Sequence, residues 1–249
     1  RNESKPLSWD SEWQRCGDSN PHGVYMNIVS NKQEHTNFGE FPWVVGIYKN
    51  PNIFLAGGSL IAPKIVLSSA KQLFRLKQLK VRAGDWDIAT DNEILPYEER
   101  EVQYVLCNDF NIRTNGNDIA LLVLKRKFNS APHIGTVCLP VSGPFDLANC
   151  RAIGWNESIG GGRALMISMT MNFTQCAAGT DETLFCAKGH RRTLRYATGS
   201  ALVCPKSYAS ANRYYQIGIW SHGDGPRTHI MFTNVTKLLT WIQDILSHI

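Results

Sequence analysis

The sequence predicts an all-β fold: paired antiparallel β-barrels, with one α-helix closing the second. Two observations carry this. From Trp43 onward, short runs of β-branched and aromatic residues recur between Gly, Pro and Asn punctuation. The last element differs, with Leu238, Leu239, Trp241, Ile242, Ile245 and Leu246 forming one apolar stripe at helical spacing. No internal repeat or low-complexity segment interrupts the pattern.

In chain order, residues 1–36 are polar and rich in turn formers, which predicts an extended arm. Its single cysteine, Cys16, points to a disulfide tether onto the body, the alternative being a disordered leader. Strands are expected at 43–49, 54–61, 64–69 and 79–87. The acidic run 98–101 reads as surface. Residues 119–124 (IALLVL) are continuously apolar, as suits a strand buried on both faces. Strands resume at 151–155, 201–204, 216–221 and 230–234. The helix is expected over 236–248, with Thr236 as its N-cap. The chain thus divides into an arm, 1–36, and a body, 37–249. Within the body, barrel one covers about 37–127, a linker 128–140 and barrel two 141–235.

At 249 residues with 43% hydrophobic content, the chain can build a sizeable core without metals. A net charge of +5 is only mildly basic and does not call for a nucleic-acid partner. The seven cysteines are scattered and lack the close pairs of a zinc site. Scattered cysteines suit long-range disulfides in an oxidising, extracellular compartment. The N-x-S/T triplets at Asn2, Asn156, Asn172 and Asn234 are candidate N-glycosylation sites and agree with secretion. The start, RNESKPLSWD, has no apolar run, so a secreted chain would already have lost its signal. No apolar stretch is long enough to span a membrane, and no histidine spacing suggests a metal. No cofactor is expected.

Several stretches together resemble the chymotrypsin-like serine proteases: EFPWVVGI (40–47), GGSLIAPKIVLSSA (57–70), NDIALLVL (117–124), VCLP (137–140), RAIGW (151–155) and SALVC (200–204). Their order and spacing match over 37–249. The resemblance implies two six-stranded antiparallel barrels of the trypsin type. CGDSNPHGV, FGEFPW, VRAGDWD and LPYEER look most like the clip-domain, masquerade-like homologues of insects, in which the protease-like domain is often inactive. With one cysteine ahead of the body, no six-cysteine clip module is expected in these residues.

Set against the family pattern, the catalytic positions are altered. A triad needs a nucleophile, a base to take its proton and a carboxylate to hold that base. Where the family has its histidine, LSSAKQ places Lys71, an ammonium that cannot accept a proton at neutral pH unless strongly shifted. The carboxylate position is Asp118, and the expectation is a structural ion pair between Lys71 and Asp118. In YATGSALVC the nucleophile position is Thr198. Tyr196 stands at the oxyanion glycine and should reorient or obstruct that loop, while Ala197 replaces the aspartate that pairs with a newly cut N-terminus. The matching activation sequence, Ile-Val-Gly-Gly after arginine, is absent as well. Losing both halves of that switch avoids an unpaired buried charge. A Thr198–Lys71 dyad is the catalytic alternative.

Cysteine losses are paired too. Ala56 and Gln72 replace both ends of one family disulfide, and Leu194 and Pro226 replace both ends of another. By resemblance, the remaining bridges are Cys16–Cys138, Cys150–Cys204 and Cys176–Cys186, with Cys107 left as a free thiol or an intermolecular link. The specificity-pocket remnant is Arg192, Ser221, His222 and Gly223; Arg192 would repel a basic substrate side chain. Lys188, Arg191, Arg192 and Arg195, with the run 71–82, form candidate polyanion sites. The expected function is that of a secreted, non-catalytic protease homologue. It would bind an extracellular protein, such as a protease or zymogen, and regulate a protease cascade or a melanisation response. An active serine-type endopeptidase and a binder of sulfated glycans are the alternatives.

Overall fold

The computed structural model describes residues 15–25, 35–157, 162–189, 196–206, 213–223 and 229–249. Its elements run β1 (Val44–Lys49), β2 (Ile53–Ala62), β3 (Ile65–Ser68), α1 (Ala70–Leu73), β4 (Leu79–Ala83), β5 (Glu98–Cys107) and β6 (Ala120–Leu124). They continue as β7 (Arg151–Glu157), β8 (Ala164–Thr170), β9 (Asn172–Thr174), β10 (Leu184–Lys188), β11 (Ala201–Pro205), β12 (Tyr214–Gly223), β13 (His229–Asn234) and α2 (Leu239–Ser247).

β1 to β6 close into a barrel in the order β1-β2-β3-β6-β5-β4, with every pair antiparallel. The remaining strands form one sheet in the order β8-β7-β11-β12-β13-β10-β9. It has seven strands rather than the expected six. Its two edge strands, β8 and β9, are consecutive in the chain and separated only by Met171, whose N–H bonds Cys150 O at 3.1 Å. The break at Met171 divides one stretch of chain between opposite edges of the sheet.

Side-chain alternation explains the apolar runs. Along β6, Leu121 and Val123 face a core shared by both sheets and α2, while Ala120, Leu122 and Leu124 fill the first barrel. β11 repeats the arrangement in the second sheet: Ala201 and Val203 join the shared core, and Leu202 and Cys204 join the sheet's own cluster. A strand with two buried faces must be apolar at every position.

β5 breaks that pattern. Read as surface, residues 98–101 are the start of a strand whose charges pair across the ladder. Arg82 Nε donates to Glu99 at 2.9 Å and Lys80 Nζ to Glu99 at 3.1 Å, both from β4, while Arg100 donates along β5 itself to Glu98 at 2.5 Å. The C-terminal helix begins at Leu239, later than expected, and Thr236 does not cap it. Asn234 Oδ1 instead accepts the Lys237 N–H at 3.2 Å, ordering the turn before the helix.

Three disulfides are formed: Cys16–Cys138, Cys150–Cys204 and Cys176–Cys186. The first fastens residues 15–25 to the body, helped by backbone bonds from Gly17 N to Thr136 O and from Tyr214 N to Gly17 O. Cys107 is a half-buried free thiol on β5. Burial, and then the nearby charge of Asp118, raise its pKa.

Candidate functional site

The site forms where the β3–α1 junction, the residues before β6, and β12 meet. Asp118 precedes β6 and is fully buried. A buried carboxylate needs donors, and three are supplied. Ser69 Oγ and the backbone N–H of Lys71 donate to Oδ1, each at 2.7 Å, and Ser221 Oγ donates to Oδ2 at 2.5 Å. The Asp118 carbonyl also accepts from Thr233 Oγ1 at 2.9 Å.

The expected Lys71–Asp118 ion pair is therefore corrected. Lys71 reaches the carboxylate through its backbone, and its exposed side chain forms no ion pair with it. Position on α1 is the reason: the first turn of a helix presents free N–H groups, which suit a carboxylate, while the long side chain stays in water. Ser69 was not singled out from sequence, and Ser221 was named only as a pocket remnant. The sole signal for Ser69 is its place in LSSA, two residues before Lys71.

His222 Nδ1 lies 3.1 Å from Ser221 Oγ. The single Ser221 hydroxyl proton goes to Asp118, so the imidazole N–H is the donor in this contact. Burial, and then the Lys71 charge, lower the His222 pKa, which favours the neutral ring. The histidine is thus one hydroxyl removed from the carboxylate.

The loop before β11 is held by its backbone. Gly57 N donates to Thr198 O at 2.8 Å, Gly199 N to Trp220 O at 2.7 Å, and Ser200 N to Ala197 O at 2.8 Å. Gly199 has φ +85°, and a Cβ there would lie 2.3 Å from Gly57 O and 2.4 Å from Ser68 Oγ. This turn admits only glycine. Among the described residues, no hydrogen bond joins the Thr198 hydroxyl to Lys71 or to a histidine.

Tyr196 forms an isolated antiparallel bridge with Trp155, and its N–H bonds Trp155 O at 3.3 Å. That donor is directed into the bridge. The Tyr196 ring packs edge-on to Phe54 with centroids 5.2 Å apart. Ala197 is fully buried, in a position where an unpaired carboxylate would be costly.

Other sequence-nominated residues fall elsewhere. Gly223 ends β12, and Lys188 is exposed at the end of β10. Asn172 is exposed on β9, whereas Asn156 and Asn234 are half-buried. Asn2, Arg191, Arg192, Leu194, Arg195 and Pro226 lie outside the described residues. No cluster of metal-ligating side chains occurs among the described residues.

Comparison with known proteins bears on this geometry. The family model described as Trypsin matches residues 29–242. The chain is 36% identical to phenoloxidase-activating factor 2 of Galleria mellonella, over 92% of this chain and 88% of that protein. It is 30% identical to the inactive serine protease scarface of Drosophila melanogaster, over 70% of this chain but only 28% of that protein. Identity to the inactive CLIP domain-containing serine protease A8 of Anopheles gambiae is 27%, over 91% of this chain and 70% of that protein.

Proposed function

Because the chain belongs to the trypsin family, we propose that it has kept the family's scaffold and acts by binding rather than by cleaving peptides. The observation that carries this reading is the environment of Asp118. Its carboxylate is satisfied by Ser69, Ser221 and the Lys71 N–H, and among the described residues no imidazole bonds to it. With no base bonded to Thr198 among the described residues, none of them takes the hydroxyl proton during acyl transfer. With the Tyr196 N–H engaged by Trp155, a donor at the family's oxyanion position is turned away as well. Removing one such donor costs an active enzyme about 3–4 kcal/mol of transition-state stabilisation.

The names of the relatives give the setting. One is named for phenoloxidase activation, and others are named inactive CLIP-domain proteases. On that basis this chain is a secreted regulator of an extracellular protease cascade, such as one leading to melanisation, with a protease or zymogen as its partner. Three disulfides support an oxidising compartment, and no helix among the described residues is long and apolar enough to cross a membrane.

The test is to add purified protein to extracellular fluid of the source animal and follow zymogen processing and phenoloxidase activity. Wild type and Thr198→Ala are expected to change these readouts equally. An effect present in wild type and lost in Thr198→Ala contradicts the reading.

A further inference from the structure

The first barrel carries an incomplete seam. β4 and β5 pair from Lys80 opposite Glu101 to Ala83 opposite Glu98. Beyond Glu101, β5 continues to Cys107 with β6 on one side, and no described strand pairs with it on the other. The chain that would extend β4, residues 74–78, peels away instead. Arg75 and Gln78 adopt left-handed φ of +64° and +59°, conformations incompatible with a strand. Between the departing segment and the open edge lies a groove of about 540 Å³.

The lining has a definite chemistry. Phe74 and Tyr104 are 39% and 43% exposed at the rim, Leu79 is buried at the base, and Val102, Val105 and Cys107 come from β5. Arg75 and Lys77 are exposed on the departing segment, and no carboxylate among the described residues lines the groove. An open strand edge offers unpaired backbone N–H and C=O groups and invites addition of another strand. The stretch from Gln103 to Cys107 has room for about five residues of extended chain.

We propose that this groove binds an extended acidic segment of a partner protein, which adds as a strand to the open edge of β5. Acidic side chains of that segment face Arg75 and Lys77, and its apolar side chains pack between Phe74 and Tyr104. The site deepens the binding reading above by naming the partner's chemistry, and it stands apart from the Asp118 site.

The test uses a fluorescein-labelled acidic peptide, Val-Glu-Phe-Asp-Val-Glu, followed by fluorescence anisotropy. Three controls accompany it: the same peptide with lysines for its acids, the same peptide with a methylated backbone, and a heparin oligosaccharide. The acidic peptide is expected to bind, and binding to Arg75→Glu/Lys77→Glu is expected to weaken about tenfold or more. Backbone methylation should abolish binding, because strand addition uses the peptide's own N–H groups. Bound peptide should also slow alkylation of the Cys107 thiol by N-ethylmaleimide, a readout local to the groove. Circular dichroism confirms that the double variant is folded.

Equal binding of the lysine or methylated peptide overturns the proposal, as does unaltered binding by the double variant. Binding of heparin alone assigns the groove to a glycan and also overturns it. So does concentration-dependent dimerisation that the double variant abolishes, because the occupant is then a second copy. Cascade activity retained by a double variant that no longer binds peptide removes the groove from that function while leaving the non-catalytic reading intact.

Discussion

At the scale of single residues, two buried aspartates sit in opposite circumstances. Asp118 has a donor for each carboxylate oxygen, supplied by Ser69, Lys71 and Ser221. Asp118→Ala leaves those donors facing a void, and a loss of about 3 kcal/mol is expected in chemical denaturation. Asp85 is 2% exposed, and its Oδ1 has no partner. Its Oδ2 meets the Tyr48 hydroxyl at 3.4 Å and Arg82 only at 3.9 Å. Burial, and then the charge of Glu93, raise its pKa from 3.8 to about 7, against the opposing pull of Arg82. The folded state therefore holds this proton more tightly than the unfolded chain. Stability from this group is present below the unfolded value of 3.8 and is lost as pH rises toward about 7. Asp85→Asn is expected to stabilise the fold by about 2 kcal/mol at pH 8, with the gain vanishing near pH 4. Denaturation midpoints at the two pH values check this, and an equal gain at both contradicts it.

At the scale of elements, β6 is the hinge of the architecture, because its alternate side chains fill two different interiors. Leu121→Ala opens the shared core and is expected to cost about 2–5 kcal/mol. A midpoint shift confined to well under 1 kcal/mol would mean that the two sheets do not depend on this contact. β6 and β11 were legible in the sequence for the same reason that they matter, since a strand buried on both faces is apolar at every position. β5 was not legible, because residues such as Glu99 and Glu101 read as surface until Arg82, Lys80 and Lys125 are placed beside them. β8, β9 and β10 were also missed. β8 is flanked by Arg163 and Met171 without a Pro or Gly stop at its end, and β9 is only 3 residues long. At the site, sequence nominated Asp118, Lys71 and Thr198, but not the contact that Lys71 makes with Asp118. The Lys71 contact is made by its backbone, and side-chain chemistry alone points to its ammonium.

At the scale of the whole molecule, the chain retains what holds a trypsin-like body together. Gly199 keeps its turn against Gly57 and Ser68, Cys204 its bridge to Cys150, and Ser59 Oγ donates to Gln216 Oε1 across the two sheets at 2.5 Å. The scaffold needs these contacts whether or not it cleaves anything. Positions that serve only catalysis or activation are under no such demand, and we read Lys71, Tyr196, Ala197 and Thr198 as standing there. The account rests on that separation between scaffold and chemistry. Its most direct test is turnover of a panel of chromogenic peptide substrates by the purified wild-type protein, with Thr198→Ala beside it. Both proteins are expected to match the rate of buffer alone. Turnover by wild type that disappears in Thr198→Ala would contradict the account.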